Sequence, residues 1–138
     1  MKHILIIFLC FFSFIALSQT KEKNYSIDNE LSKCLNKKDI SNAEMCNCNI
    51  SAKNSWDKEL NRYYNLLMTK LPVKAKEDLK QSQKIWISYR EKEFKFISTY
   101  YYEAKEGTMW YGIAEEKKMD FVKNRVLELE NYFETLDY

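Results

Sequence analysis

Proline and glycine are so scarce in this sequence that their positions constrain the fold more than any other feature. The 138 residues contain one proline, Pro72, and two glycines, Gly107 and Gly112, and apolar side chains recur at helical spacing between them. Glycine and proline are the residues that most often interrupt regular structure, so these three positions mark connections between elements. Almost no segment shows the alternating pattern of a strand. The sequence therefore predicts an all-α, up-and-down helical bundle.

The N-terminal segment is typical of a secretory signal peptide, with a basic start followed by the apolar run Ile4–Leu17. This run is shorter than the roughly 18–20 apolar residues that a membrane-spanning helix needs. A lipid anchor would need a cysteine just after the run, whereas Cys10 lies inside it. We therefore predict a signal peptide at residues 1–18, cleavage after Ser18, and a periplasmic or secreted helical domain at residues 19–138 with no membrane span.

The composition of the predicted mature chain excludes several classes of function. The leader contains Lys2 and the only histidine, His3, so 21 basic and 20 acidic residues remain. This balance lacks the clustered basic excess of a nucleic-acid-binding domain. A chain without histidine has no His general base and no His metal ligand. The neighbouring carboxylates Glu115 and Glu116 are expected to be solvated rather than to flank a sugar cleft. We predict no catalytic residues, no cofactor and no enzymatic activity.

Three cysteines follow the leader: Cys34, Cys46 and Cys48. In an exported chain they should be oxidised where the geometry allows it. Cys46 and Cys48 are two positions apart in a predicted helix and point to different faces, so at most one of them can pair with Cys34. Three thiolates at this spacing, without histidine, make a poor zinc site, and no metal site is predicted.

The first two predicted helices are placed by their capping signals. The short helix one is expected to begin at Ser26, followed by an early acidic residue. Helix two is expected to begin at the capping box formed by Ser41 and Glu44. It should end by Leu71, because Pro72 disfavours a helical conformation in the residue before it.

The last two helices are placed by periodicity and by the glycines. The third is expected to extend from about Val73 to Lys105, and the fourth to follow Gly112. Apolar residues of the fourth step by three and four positions, which is the spacing of a helix in a shallow-angle bundle: Met119, Val122, Val126, Leu129, Phe133 and Leu136.

Two segments carry a resemblance to a known family: WDKELNRYYNLL at Trp56–Leu67 and QSQKIWISYREKE at Gln81–Glu93. Each places a tryptophan, a charged or amide side chain and a tyrosine or leucine on one side of a helix. With Cys48 eight residues before Trp56, they resemble the lysozyme-inhibitor LprI type of small secreted bacterial domains. The resemblance covers the chain from Cys34 to about Phe133.

The resemblance implies one disulfide and a function. The family spacing, together with the helix phase, implies a Cys34–Cys48 disulfide and leaves Cys46 unpaired. A second cysteine pair that is usual in the family is absent, because Phe94 and residues 117–119 stand at its two positions. The implied function is a protein-binding inhibitor of lysozyme or a related cell-wall hydrolase. The alternative is a non-catalytic structural or assembly module of the envelope that binds another exported protein.

Two groups of side chains are candidates for a site. The first combines polar residues with two tryptophans and is interpreted as an internal brace between helices two and three, with a recognition patch as the alternative: Trp56, Asp57, Asn61, Gln83, Trp86 and Arg90. The second is an aromatic surface at the junction of helices three and four, predicted to contact a protein partner: Tyr101, Tyr102, Trp110 and Tyr111. Three successive tyrosines on a helix cannot all face the core, so at least one should be exposed.

Overall fold

A computed structural model describes residues 25–136, so the predicted signal peptide and its cleavage site lie outside the described residues. Within this range the chain forms four α-helices and no strand: α1 Ser26–Leu35, α2 Asn42–Lys70, α3 Val73–Ser98 and α4 Met109–Glu134. Residues Thr99–Glu103 continue α3 as a π-helix. The predicted all-α bundle of one short and three long helices is confirmed. None of these helices is long and apolar enough to cross a membrane.

Helices α2 and α4 lie side by side and supply the centre of the core. Near their N-terminal ends, Asn49 of α2 contacts Gly112 of α4, and towards their C-terminal ends, Tyr63 of α2 contacts Glu130 of α4. The two helices are therefore parallel. The apolar side chains that form the buried cluster all come from these two helices: Ala52, Trp56, Leu60, Tyr63, Leu67, Met119, Val122, Val126 and Leu129. Full burial of a large apolar side chain stabilises a fold by about 1.5–3 kcal/mol.

The predicted start of α2 is confirmed and that of α1 is modified. Ser41 accepts a hydrogen bond from the backbone N–H of Glu44, and the Glu44 carboxylate accepts one from the backbone N–H of Ser41, which completes the capping box. Helix α1 begins at Ser26 as predicted, but Tyr25 occupies the N-cap and no side chain caps the helix. Tyr25 instead packs its ring edge-on against Trp56, with centroids 5.1 Å apart.

Helix α3 packs at the periphery of the bundle. Its only buried side chains are Gln83 and Ile97. Trp86 and Phe94 reach the bundle by packing on Phe121 of α4, with ring centroids 5.6 Å and 6.0 Å away. These ring contacts lie near the position of the cysteine pair that this chain lacks. Large apolar side chains of α3 also face solvent, among them Ile85, Tyr89 and Phe96.

Helix α4 begins at Met109, before Gly112, so the prediction that it follows Gly112 was wrong. Gly112 is buried inside the helix, where α2 and α4 approach each other, and its carbonyl accepts a hydrogen bond of 3.0 Å from Asn49 Nδ2. Gly107, with a φ of 99°, is the glycine that actually turns the chain before α4. The predicted inward stripe is buried from Met119 to Leu129, whereas Leu136 lies beyond the helix and is exposed.

The predicted disulfide between Cys34 and Cys48 is confirmed and joins α1 to α2, with 5.9 Å between the Cα atoms. Cys46 remains a free thiol on another face of α2. The single bridge holds the short helix against the bundle, in which α1 runs antiparallel to α2.

Candidate partner-binding site

The junction of α3 and α4 carries five packed aromatic side chains and one methionine, which together we call the tip: Tyr100, Tyr101, Tyr102, Met109, Trp110 and Tyr111. Tyr101 stacks on Trp110 with centroids 6.0 Å apart, and Tyr100 packs edge-on against Tyr101 at 4.9 Å. The Lys105 ammonium lies 5.2 Å from the Tyr100 ring and 5.4 Å from the Trp110 ring. Because each ring is held by another ring or by a cation, this surface is fixed before any partner binds.

The predicted contact residues differ in how much of each reaches solvent. Tyr111 is 43% exposed, whereas Tyr101, Tyr102 and Trp110 are half-buried. The neighbouring Met109 is 54% exposed and was not singled out from the sequence. The outer surface of the tip is therefore formed mainly by Tyr100, Met109 and Tyr111, with the other predicted rings, Tyr101, Tyr102 and Trp110, packed behind them.

Tyr102 points inward and belongs to a buried ion cluster with Lys53, Glu115 and Lys118. Glu115 Oε2 accepts a hydrogen bond of 2.6 Å from Lys53 Nζ, and Glu115 Oε1 accepts bonds of 2.7 Å from Lys118 Nζ and from Tyr102 Oη. The cluster connects α2, the π-helix and α4. Its hydrogen bonds hold Tyr102, and with it the inner side of the tip, against the bundle. Tyr102 also packs edge-on against Tyr111, with ring centroids 4.9 Å apart.

The pKa values in this cluster follow from burial and hydrogen bonding. Burial alone would raise the pKa of Glu115, but hydrogen bonds from Lys118, Lys53 and Tyr102 outweigh it and lower the pKa to about 2. Burial, followed by the hydrogen bond to the Glu115 carboxylate, raises the pKa of Tyr102 far above its ordinary value. Glu115 is therefore ionised and Tyr102 neutral at any physiological pH, so the cluster acts as a fixed electrostatic support.

The expectation that Glu115 is solvated was wrong, since only 5% of the residue is exposed, whereas Glu116 is exposed. A signal for this was present in the sequence. Continuing the stripe of α4 backwards from Met119 by four and then three positions reaches Glu115 and Gly112, which places both on the inward face. A carboxylate at an inward position needs cationic partners, and Lys118 one turn later supplies one of them.

The residues of the predicted brace are brought together in part. Arg90 Nη1 lies 2.9 Å from Asp57 Oδ1, which joins α3 to α2, and the guanidinium lies 5.2 Å from the Trp86 ring. Asn61 donates to the main-chain carbonyl of Asp57. Gln83 lines the same groove as this pair, but its Oε1 accepts a hydrogen bond of 3.2 Å from Arg125 Nε of α4 instead of joining the pair. Trp56 is fully buried in the core.

The Arg90–Asp57 pair lies on the wall of an open groove of about 520 Å³ between α2 and α3. Lys80, Lys84 and Ile87 line the side contributed by α3. The side chains of Arg90 and Asp57 are 23% and 36% exposed, so solvent reaches the pair. The recognition-patch interpretation of these residues therefore stays open beside the brace.

The free thiol of Cys46 is half-buried close to the tip, in a groove that Thr108 and Tyr111 also line. Burial, and then the negative charge of Glu115, raise the pKa of Cys46 above its ordinary value. A thiol that stays protonated is a poor nucleophile and a poor metal ligand. Residues 25–136 contain no group of three or more His, Cys, Asp or Glu side chains placed to hold a metal ion.

Comparison with known proteins assigns this bundle to a family. Residues 34–129, more than half of the chain, match the family described as "Lysozyme inhibitor LprI". The chain belongs to this family. The match begins at the disulfide cysteine near the end of α1 and ends at the last core leucine of α4, so it covers all of α2 and α3 and most of α4. No curated protein matches the sequence.

A solved structure supports the same architecture. The crystal structure of an uncharacterized protein from Burkholderia thailandensis superposes with a TM-score of 0.74 at 26% sequence identity. The similarity covers 81% of this chain and 55% of that chain, so the LprI chain described here spans about half the length of that protein.

Proposed function

We propose that this protein is an exported LprI-type module that binds and inhibits lysozyme or a related cell-wall hydrolase through its aromatic tip. The family match over residues 34–129 is the observation that carries the proposal. An inhibitor of this kind needs a protruding surface that occupies the cleft of the hydrolase, and it needs no catalytic residues of its own. Export is supported by the Cys34–Cys48 disulfide, since such bridges persist in oxidising compartments.

The tip fits this role because Tyr100 and Tyr111 are exposed and are held by the rings packed behind them. Tyrosine and tryptophan are favoured at the centres of protein interfaces, where rigid rings bury a large area at low entropic cost. The buried ion cluster around Glu115 fixes the π-helix that carries the tyrosines, and π-helical segments occur frequently at functional sites. Contact through rings rather than charges predicts inhibition that depends only weakly on salt concentration.

An inhibition assay with site-directed variants tests the proposal. Oxidised protein is titrated against hen egg-white lysozyme, a bacterial amidase and a bacterial endopeptidase while the clearing of a cell-wall suspension is followed. We expect saturable inhibition of at least one hydrolase. The double substitution Met109→Ser with Tyr111→Ser should raise the half-inhibitory concentration at least about tenfold, equivalent to about 1.4 kcal/mol. Tyr132→Ser is the matched control, because Tyr132 is 57% exposed near the opposite end of α4.

Two results would count against the proposal in different ways. Full inhibition by the Met109 and Tyr111 double variant would move the contact surface away from the tip. Absence of inhibition and of complex formation with all three hydrolases would remove the inhibitor function. In that case the alternative is an envelope assembly module, identified by capture of a non-hydrolase envelope protein that the tip variant no longer binds.

A further inference from the structure

A second concave surface, which shares Tyr100 with the outer face of the tip, lies between α3 and α4. This α3–α4 groove has a volume of about 500 Å³, within the range of roughly 300–1,000 Å³ that is usual for small-molecule sites. Glu93, Phe96 and Tyr100 lie on the side formed by α3 and the π-helix. Residues three and four positions apart share one helix face, so these side chains form one row.

The apolar part of the groove combines two side chains of the fold, Ile97 and Phe121, with exposed aromatic rings that contribute little to the core. Phe96 is 61% exposed, and within residues 25–136 its one ring contact is with Tyr100, at 6.1 Å. Tyr100 is itself exposed, and Tyr101 lines the deeper part of the groove beside it. Exposed rings that contribute little to the core and cluster in a concavity are typical of ligand-binding grooves.

The polar part of the groove consists of side chains without partners. Lys117, Asp120 and Asn124 line it from α4, opposite Glu93. Within residues 25–136, Glu93, Lys117 and Asp120 form no ion pair and the Asn124 amide forms no hydrogen bond. Two carboxylates, one ammonium and one amide therefore surround the rings with hydrogen-bonding capacity that the described part of the chain leaves unused.

This combination selects among ligand classes. The lining carries two negative charges and one positive charge, which disfavours phosphates and other polyanions. Burying an acyl chain against three charged groups would cost desolvation energy without compensation. A pyranose ring, in contrast, presents a C–H face that packs on an aromatic ring and an edge of neighbouring hydroxyls. Carboxylates accept hydrogen bonds from two such hydroxyls, and these charge-assisted bonds are stronger than neutral ones.

We propose that the α3–α4 groove binds a short, uncharged pyranose oligosaccharide. The sugar face packs on Phe96 and Tyr100. Glu93, Asp120 and Asn124 form hydrogen bonds with the hydroxyl and amide groups at the edge of the sugar. This site goes beyond the proposed inhibition of a hydrolase, because it gives the protein a glycan ligand of its own. Tyr100 and Tyr101 belong to both the groove and the tip, so a bound glycan would lie against the edge of the tip, next to a protein held there.

Nuclear magnetic resonance titration of the oxidised protein tests the site without any hydrolase, so its outcome is independent of the proposed inhibition. The probes are tri-N-acetylchitotriose and cellotriose. We expect backbone shift changes confined to residues 93–101 and 117–124 with at least one probe, and a dissociation constant of about 1 mM or lower. Phe96→Ala and Asp120→Asn should each weaken binding about tenfold or more.

Matched controls separate this site from other surfaces. Tyr132→Ala removes an equally exposed ring outside the groove, and Glu116→Gln neutralises an exposed carboxylate on the same helix as Asp120. Both controls should bind the sugars as the unmodified protein does. The proposal is overturned if neither probe shifts any resonance at about 10 mM, a concentration well above the expected dissociation constant. Shift changes located elsewhere, or binding that is unchanged in both groove variants, would overturn it as well.

Discussion

Glu115 of α4 and Lys53 of α2 meet inside the bundle, with the Lys53 ammonium 2.6 Å from a Glu115 carboxylate oxygen. Removing one member of a buried ion pair leaves an uncompensated charge, which typically costs about 3–5 kcal/mol. We therefore expect Glu115→Gln to lower the free energy of unfolding by about 3 kcal/mol in urea denaturation at neutral pH. The exposed neighbour provides the control, because Glu116→Gln should change stability by less than about 0.5 kcal/mol. Equal losses in the two variants would contradict the burial of Glu115.

The same carboxylate makes stability depend on pH. The pKa of Glu115 is about 2 in the folded protein against an ordinary value of 4.5. A lowered folded-state pKa stabilises the fold above the ordinary pKa, and this contribution is lost as the pH falls from 4.5 toward 2. Near neutral pH, the free energy of unfolding of the unmodified protein should exceed that of Glu115→Gln by about 3 kcal/mol. This difference should disappear as the pH falls through the acidic interval. Thermal unfolding of both proteins across this pH interval measures the difference in stability. A difference that stays constant with pH would contradict the titration of Glu115.

Tyr102 and Tyr111 are neighbouring rings with different expected roles. Tyr102→Phe removes a hydrogen bond to a buried carboxylate, so it should lower stability by about 1.5–3 kcal/mol while the ring contact remains. Tyr111→Ser should cost less stability, about 0.5–1.5 kcal/mol from the lost ring pair, and should weaken partner binding more. Chemical denaturation and binding measured on both variants separate the supporting residue from the contact residue. The reverse ranking would show that Tyr102 contacts the partner.

Arg90 and Asp57 should be coupled only modestly, because solvent reaches both side chains. A double-mutant cycle with Arg90→Met and Asp57→Asn is expected to give a coupling energy of about 1 kcal/mol. The exposed pair Lys74 and Asp78 on α3 is the comparison, with an expected coupling of about 0.3–0.5 kcal/mol. If the Arg90 and Asp57 variants keep full stability but lose binding, the groove between α2 and α3 is a recognition surface.

The disulfide and the free thiol should respond differently to substitution. Replacing both Cys34 and Cys48 with serine should lower stability by about 3 kcal/mol, because the bridge closes a loop with a sequence separation of 14. Cys46→Ser should change stability by less than about 0.5 kcal/mol, and the native Cys46 should react slowly with iodoacetamide because its pKa is raised. Rapid alkylation of the folded protein would show that the thiol is more accessible than the structure indicates.

The sequence predicted the core of the bundle better than its edges. The three-and-four spacing from Met119 to Leu129 identified the inward face of α4 correctly, because this face is continuous and apolar. The start of α4 was misplaced because glycine usually ends helices, whereas Gly112 lies inside the helix and faces Met45 and Cys46 of α2. Its contact with α2, which is distant in the sequence, depends on how the two helices pack.

The candidate sites were harder to predict than the core. The pairing of Arg90 with Asp57 was anticipated from two helix faces, but the link from Gln83 to Arg125 depends on how α3 is rotated against α4. Tyr102 was expected to reach a partner, yet its hydroxyl donates to Glu115. A run of three tyrosines shows that some ring must be exposed, but which one depends on the π-helix, whose extra residue per turn changes the direction of the side chains.

The peripheral packing of α3 has a consequence for how such proteins diverge. Gln83 and Ile97 are the only side chains that α3 buries, so most of its surface can be substituted at little cost in stability. The α2–α4 pair that forms the core is therefore largely separate from α3 and its π-helical continuation, which carry Phe96, Tyr100 and Tyr101 of the groove. Selection could alter what this surface recognises by single substitutions on α3 while the α2–α4 pair maintains a folded chain, which makes ligand preference the property of this domain most free to drift.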